Sequence, residues 1–572
     1  MKHIILPLLI FIAVFIWSCA NQGNPTGGPK DTIPPVLIKS IPSHKQTNYN
    51  KQEFTLIFNE KINADRLKQH LIITPFIDNP YKFKVKRNIV TLRFEQPFDS
   101  ATTYTFNFAE GIGDITENNS PDNLKLAFST GSILDSLSIS GHVHDIFTNK
   151  PIVKALVSLY SEHDSVNAFT GKPRYFTKTD KEGYFFIENI KNGKYKLYAL
   201  EDKNNNMKIE SSDELHGFKS GHIDLQSSIT DISIPVQTID SRKIALSRGK
   251  NTGVYYDVLY NKYIQQYSID KLDNNKLPIP KSNLISDNQT IRFYRQQPYQ
   301  YDRDSLGIII TATDSLKNSR EDTLFVKFKS SKRKPSTMTY LLSPESSTRI
   351  KDTLNASIAF GKPIISQQLD SISINYDSIK INYLSDSNFT WNDNHSKLHI
   401  KVPLSAKEFP DYVRQLLIQY QDTTNADSMF YVQKQYLERL DTTKIKLTIP
   451  RAAFISVELD TSEVIARDYY FFSNNDTGTI SGNIISDHKN IIVQIVTPNY
   501  NVVQQSRKNG SYIFNNLQAG KYTFRVLIDT NGDGKWSPGN ILEDEEPEPI
   551  YFYPETFDIR ANWIIENVDI QF

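Results

Sequence analysis

The chain has 572 residues, 39% of them hydrophobic, 12% aromatic and 23% charged, the make-up of a folded, multi-domain protein rather than a disordered one. Lys and Arg number 65 against 64 Asp and Glu, a formal charge of +1, so no chain-wide charge points to nucleic acid or an anionic membrane as partner. A mean hydropathy of −0.44, with no second long apolar run, excludes a polytopic helical membrane protein.

The chain opens with a targeting pattern. Lys2 and His3 form a short basic region, Ile4 to Trp17 is apolar, and Ser18-Cys19 follows, the layout of a signal peptide over residues 1–18 and too short for a comfortable membrane span. Cys19 is the single cysteine, so an intramolecular disulfide or a zinc site with two Cys ligands is impossible within one chain. A small residue before Cys at the end of an apolar run resembles the lipobox of bacterial lipoproteins, with Trp17 departing from its usual small residue. The resemblance implies cleavage before Cys19, lipidation of its sulfur and amine, and a membrane anchor of more than one acyl chain. Residues 19–30, rich in Gly, Pro and Asn, read as a flexible tether.

From Asp31 onward short alternating segments lie between Gly, Pro, Asn and Asp clusters: Phe54 to Phe58, Val90 to Phe94 and Tyr104 to Phe108. Such regular short strands predict an all-β chain of tandem β-sandwiches. A helical pattern occurs only within 406–440, around Tyr412-Val413 and Leu416-Leu417, and is expected as an insertion in a β-domain.

A gapless self-match aligns Gly183 to Ile209 with Gly510 to Trp536 at a constant offset of 327, with nine identities in 27 positions where average composition gives about one or two. The identities include Gly183/Gly510, Asn189/Asn516, Gly193/Gly520, Tyr195/Tyr522 and Asp202/Asp529, and they mark a duplication. Ile139-Ser140-Gly141 and Ile480-Ser481-Gly482 open the two copies. Each Gly permits positive φ at a turn, and the alternating apolar residues fill one sheet face.

Gly183 to Ile190 with Gly193-Lys194-Tyr195, and Gly510 to Leu517 with Gly520-Lys521-Tyr522, resemble the carboxypeptidase-regulatory or transthyretin-like sandwich of bacterial envelope proteins, a fold without catalysis. Before the first copy stand Asp31-Thr-Ile-Pro-Pro35, Phe54 to Ile62, Ile112-Gly113-Asp114 and Phe128-Ser-Thr-Gly131, an order that resembles the bacterial Ig-like domain of the S-layer (SbsA) type. A second such copy, running from Ile358 to Ser473, lacks the Ile-x-Asp segment. The whole chain is similar to Ig-like-domain lipoproteins of Bacteroidota. The expected order is an Ig-like domain at 31–131, a transthyretin-like sandwich at 137–235, a β-rich middle module at 240–335, a degenerate Ig-like domain at 336–475 and a second transthyretin-like sandwich at 478–572.

Patterns that carry chemistry are few. Gly217 to Gly221 has its Ser in the wrong place for a nucleophile elbow, and no His-Glu-x-x-His or Walker A sequence occurs. His142 and His144 on one strand face supply two metal ligands without a third. Tyr255, Tyr256, Tyr260, Tyr263, Tyr267, Phe293, Tyr294, Tyr299 and Tyr301 of the middle module read either as sandwich core or as a platform for a sugar or protein partner. Asp529-Thr-Asn531-Gly-Asp533-Gly534-Lys535 satisfies the first half of a calcium loop. Its donors would be the side chains of Asp529, Asn531 and Asp533 with the Lys535 backbone carbonyl. Asn540 stands where the closing bidentate Glu belongs, so any calcium is expected to bind weakly. The earlier copy, Asp202-Lys-Asn204-Asn-Asn206, has Met207 in place of the Gly.

These readings lead to a non-enzymatic cell-envelope lipoprotein with a structural or protein-interaction role, needing no cofactor. It would be held at the outer membrane, the periplasmic face favoured, with an envelope protein or glycan as partner and no nucleic acid. A carbohydrate-binding lipoprotein is the alternative, ahead of a hydrolase with a carboxylate site assembled through space.

Overall fold

The computed structural model describes residues 31–210, 212–272, 277–296, 305–329, 336–350, 353–376, 379–381, 384–404, 444–471, 477–507 and 510–572. Cys19 with its leader and tether, the helical pattern of 406–440, Tyr299 and Tyr301 lie outside these residues. The described chain is a succession of short strands; its one α-helix, Leu67–His70, has four residues. It divides into two compact units, one of residues 31–143, 151–208 and 222–234, the other of 144–150, 209–221 and 235–572.

In the first unit, strands Leu37–Ile41, Glu53–Phe58, Ile89–Phe94 and Tyr81–Lys86 form one sheet in that order. Ile72–Thr74, Thr103–Asn107 and Lys125–Ser129 form the facing one, and Ile62–Asn63 pairs with Gly113–Asp114. Alternation dictates the packing: in Glu53–Phe58 the side chains of Phe54, Leu56 and Phe58 are buried and the intervening ones are not. Phe54 is the hub, its ring 4.8 Å from Phe106 and 5.1 Å from Phe128. The predicted strands are thus found within a residue of their expected ends. Asp114, buried at 1% exposure, closes the Ile-Gly-Asp loop: Oδ1 accepts the amides of Glu117 (2.7 Å) and Asn118 (2.8 Å), and Oδ2 accepts Asn119 Nδ2 (2.7 Å). Burial would raise its pKa, but these hydrogen bonds outweigh burial and hold the carboxyl below its ordinary value.

The duplication is visible in strand register. In the first copy Ile139 faces Ile187 and Gly141 faces Phe185 across Leu137–Asp145 and Tyr184–Ile190. In the second, Ile480 faces Phe514 and Gly482 faces Tyr512 across Thr477–Ile485 and Ser511–Gln518. Both pairs break register at the same place, between Leu137 and Ile139 and between Gly478 and Ile480. The residues that make this bulge are the repeated asparagines, Asn189 at φ 56° and Asn516 at φ 59°, a left-handed conformation that Asn tolerates better than most residues with a Cβ. Tyr195 and Tyr522 each donate from the hydroxyl, at 2.8 Å, to the carbonyl four residues back, of Lys191 and Gln518. The Ile-Ser-Gly motif has its own cause. A Cβ on Gly141 would stand 1.9 Å from the Ile232 carbonyl oxygen, and one on Gly482 1.7 Å from that of Val568. Both glycines are fixed by passing backbone, of strand Ile229–Thr238 at Gly141 and of the segment between Ile564–Ile565 and Ile570–Gln571 at Gly482.

The second unit contains the middle module, a sandwich of two sheets: Leu246–Asn251, Tyr255–Tyr260, Thr290–Tyr294 and Ser282–Ile285 against Gln266–Lys271, Leu306–Thr313 and Ser319–Val326. Lys262 and Asp314, at 1% and 0% exposure, form a buried ion pair of 2.7 Å. Lys262 also donates to the carbonyls of Asp240 and Arg242, tying residues 240–242 to the module. The next sandwich repeats the first Ig-like strand order. Tyr340–Ser343, Thr353–Phe360, Lys397–Pro403 and Phe389–Trp391 form one sheet, Ser373–Tyr376, Lys444–Ile449 and Ile465–Phe471 adjoin in the other, and Ile364–Gln367 pairs with Phe454–Ser456. Where the first domain has Asp114, the loop after Phe454–Ser456 is held by Lys362, which binds Glu458 (2.7 Å), Asp460 (3.0 Å) and the Ser336 carbonyl.

The units cut across the expected boundary of the first transthyretin-like sandwich: its turn 144–150 and segment 209–221 belong with the second unit. Side chains of the C-terminal sandwich account for this. Arg525 donates to the Phe147 carbonyl at 2.8 Å, and Glu546 accepts Lys219 Nζ at 2.5 Å and the Ser220 amide at 2.7 Å.

Candidate functional site

The C-terminal loop that resembles a calcium half-site follows strand Gly520–Ile528. Asp529 is buried at 5% exposure because both its oxygens turn inward, Oδ1 accepting the Gly532 amide at 2.7 Å and Oδ2 the Gly534 amide at 2.9 Å. Asn531 Oδ1 and Asp533 Oδ1 each accept the amide two residues on, of Asp533 and Lys535, at 2.9 Å. Gly532 and Gly534 sit at φ 75° and 80°, which only glycine adopts at no steric cost. Lys317 lies 3.1 Å from Asp533 and, with the Lys535 amide, holds that carboxyl below its ordinary value.

Sequence reasoning missed Glu548. It is buried at 5% exposure; its Oε1 accepts the amides of Thr530 (2.7 Å) and Asn531 (3.1 Å), and its Oε2 the Ser537 amide (2.6 Å). The acid that closes this loop is therefore fourteen residues past Gly534, beyond the spacing of the calcium motif. Only the run of acids after Asn540 hinted at it. Among the described residues no three His, Cys, Asp or Glu side chains converge into a ready metal cluster. In the earlier copy Asp202 accepts the amides of Asn206 (3.0 Å) and Met207 (3.1 Å), the same turn without the glycines.

The middle-module tyrosines take the core reading. Tyr255, Tyr256, Tyr260, Phe293 and Tyr294 are at most 9% exposed, whereas Tyr263 is 45% exposed. Burial pushes the hydroxyls of Tyr255, Tyr256, Tyr260, Tyr267 and Tyr294 up in pKa. Two of them join the module to the following Ig-like sandwich: Tyr255 donates to Glu458 Oε2 at 3.1 Å and Tyr294 to the Gly361 carbonyl at 3.2 Å, around Val457. Beside this joint lies a cleft of about 220 Å³ lined by Val254, Arg295, Ile365, Val457 and Glu458, smaller than ordinary ligand sites. His142 stacks obliquely near Tyr184, 5.3 Å between rings, and the two-histidine pattern gains no third ligand among the described residues.

In the first unit the corresponding joint is made by the bulge asparagine. Asn189 Nδ2 donates to Thr105 Oγ1 of the Ig-like sheet at 2.8 Å, Lys125 pairs with Glu188 at 2.7 Å, and the Phe76 amide donates to the Arg174 carbonyl at 2.6 Å. What these sites do chemically is hold sandwich to sandwich.

No helix among the described residues is long and apolar enough to cross a membrane. No curated protein matches the chain. Among solved structures the TIE protein of Bacillus anthracis is 10% identical, over 96% of this chain and 76% of its own, with a TM-score of 0.13. The S-layer protein SbsC is 10% identical over 92% and 67%, TM-score 0.15. BcpA, the major pilin subunit of Bacillus cereus, is 11% identical over 76% and 99%, TM-score 0.13. Scores this low establish no shared arrangement. The sequence match is firmer and local: residues 31–130 match the model of the bacterial Ig-like domain family, in agreement with the sandwich built around Phe54.

Proposed function

We propose that this chain is a non-enzymatic cell-envelope lipoprotein, anchored through Cys19, whose tandem sandwiches form a scaffold that presents surfaces to another envelope protein. The observation that carries the reading is that consecutive sandwiches are joined through specific buried or half-buried polar contacts, Asn189 to Thr105 and Tyr255 to Glu458. Such joints restrict the flexing that ordinary inter-domain surfaces leave free. A protein whose role is to hold partners at set positions needs stiff joints. An anchor at Cys19 would fix one end of the scaffold to the outer membrane, with the periplasmic face favoured by the lack of an early acidic cluster after Cys19. Crosslinking in native membranes followed by recovery of the chain tests the reading: one envelope protein crosslinked to a mapped surface supports it, and turnover of an envelope substrate by the purified chain overturns it.

A further inference from the structure

Register sorts the first sheet's side chains by face. Phe54, Leu56, Phe58, Val90, Leu92 and Phe94 point to the core, so their neighbours form the outer face. Three rows cross it: Lys39, Ile57, Ile89 and Lys86; Ile41, Thr55, Thr91 and Lys84; Glu53, Arg93 and Lys82. Five basic side chains, every one exposed, thus share one sheet face with a single acid, Glu53. A second acid, Glu95, lies 3.8 Å from Lys82 at the margin. On a chain whose formal charge is +1, this is a strong local concentration of positive charge. Lysines on an edge strand also guard against pairing with another chain, which accounts for Lys82, Lys84 and Lys86 on Tyr81–Lys86. The same guard covers Lys39 on the opposite edge strand, Leu37–Ile41, but not Arg93 in the middle of the sheet.

We propose that this face rests on an anionic phospholipid surface. The inference builds on the anchored reading of Cys19 and adds an orientation to it. Eleven residues separate Cys19 from Asp31, at most about 40 Å of chain, so the first Ig-like domain is the one an anchor would keep near lipid. Anionic headgroups attract each nearby Lys or Arg within about a Debye length. Ile41, 44% exposed, and the half-buried Ile57 and Ile89 give the face apolar contact besides charge.

The test uses the chain beginning at Ala20 with Cys19 absent, so that no lipid contributes, sedimented with vesicles of phosphatidylglycerol or of phosphatidylcholine at about 0.1 M salt. It is expected to bind the anionic vesicles and not the neutral ones, and to be released by high salt. A Lys82→Glu, Lys84→Glu, Lys86→Glu variant should bind roughly tenfold more weakly or worse. If that variant fails to fold, Lys39→Gln with Arg93→Gln serves in its place. Absence of binding to anionic vesicles, equal binding to neutral ones, or an undiminished folded variant would each overturn the proposal. None of these results bears on anchoring, which is read separately from the fractionation of Cys19→Ala.

Discussion

Asn189 Nδ2 and Thr105 Oγ1 meet at 2.8 Å across the joint between the first Ig-like sandwich and the sandwich that follows it, at 9% and 5% exposure. The same asparagine makes the β-bulge at φ 56°, so one residue serves a strand and a joint. The two roles are separable. Asn189→Gly keeps the conformation and loses the bond, leaving Thr105 with an unpaired buried hydroxyl, a cost of about 1–2 kcal/mol. Asn189→Ala loses both and should cost about 1 kcal/mol more. Urea unfolding of the two variants, with proteolysis at 131–136 as a second readout, checks the order.

Asp114 predicts an acid-sensitive first domain. Its folded pKa lies below its unfolded value, so its contribution is present above about pH 4, the unfolded pKa, and is lost as pH falls through the folded one. Asp114→Ala removes a buried acceptor of several loop amides and should cost about 1–3 kcal/mol near neutrality. The melting difference between wild type and variant should shrink as pH is lowered from about 5 toward 2. A difference that stays constant over that range would show that Asp114 is not the group responsible.

Gly141→Ala and Gly482→Ala each place a methyl group within 2 Å of a backbone carbonyl oxygen, of Ile232 and Val568. That backbone must move to admit it, and backbone cannot yield as a flexible side chain does. Each substitution should destabilise its own sandwich by about 3 kcal/mol or more, whereas Gly221→Ala, with open space around it, should cost only the strain of its positive φ, about 1 kcal/mol. Calorimetry of the three variants orders them.

The C-terminal loop separates a structural role from an ion-binding one. Asp529→Ala strips two loop amides of their acceptor and should lower stability by about 1–3 kcal/mol with or without calcium. We propose in addition that calcium binds weakly here, in the roughly 10⁻⁴ to 10⁻³ M range of extracellular sites, and so raises the melting temperature only at millimolar concentration. Asp533→Ala should remove that calcium response. A melting temperature indifferent to calcium in the native chain would leave Asp529 and Glu548 as the clasp of a polar turn.

The strands, the duplication and the repeated Gly and Asn positions were legible because each follows from local chemistry. Alternation writes a half-buried strand directly, and positive φ selects Gly183 and Asn189. What the Ile-Ser-Gly motif was for could not be read, since the atoms that exclude a Cβ at Gly141 belong to Ile232, 91 residues away. Glu548 escaped for the same reason: its role is set by where the chain returns, not by its spacing from Asp529. The tyrosine cluster was undecidable from sequence, because core and platform require the same residues, and only burial distinguishes them.

The most direct test of the account is the fate of Cys19. We expect the wild-type chain to fractionate with the outer membrane at the mass of the chain beginning at Cys19 plus its lipids. Cys19→Ala should be released from the membrane or accumulate as uncleaved precursor. A Cys19→Ala chain that remains with membranes at the mature mass would contradict the lipoprotein reading on which the scaffold's position depends.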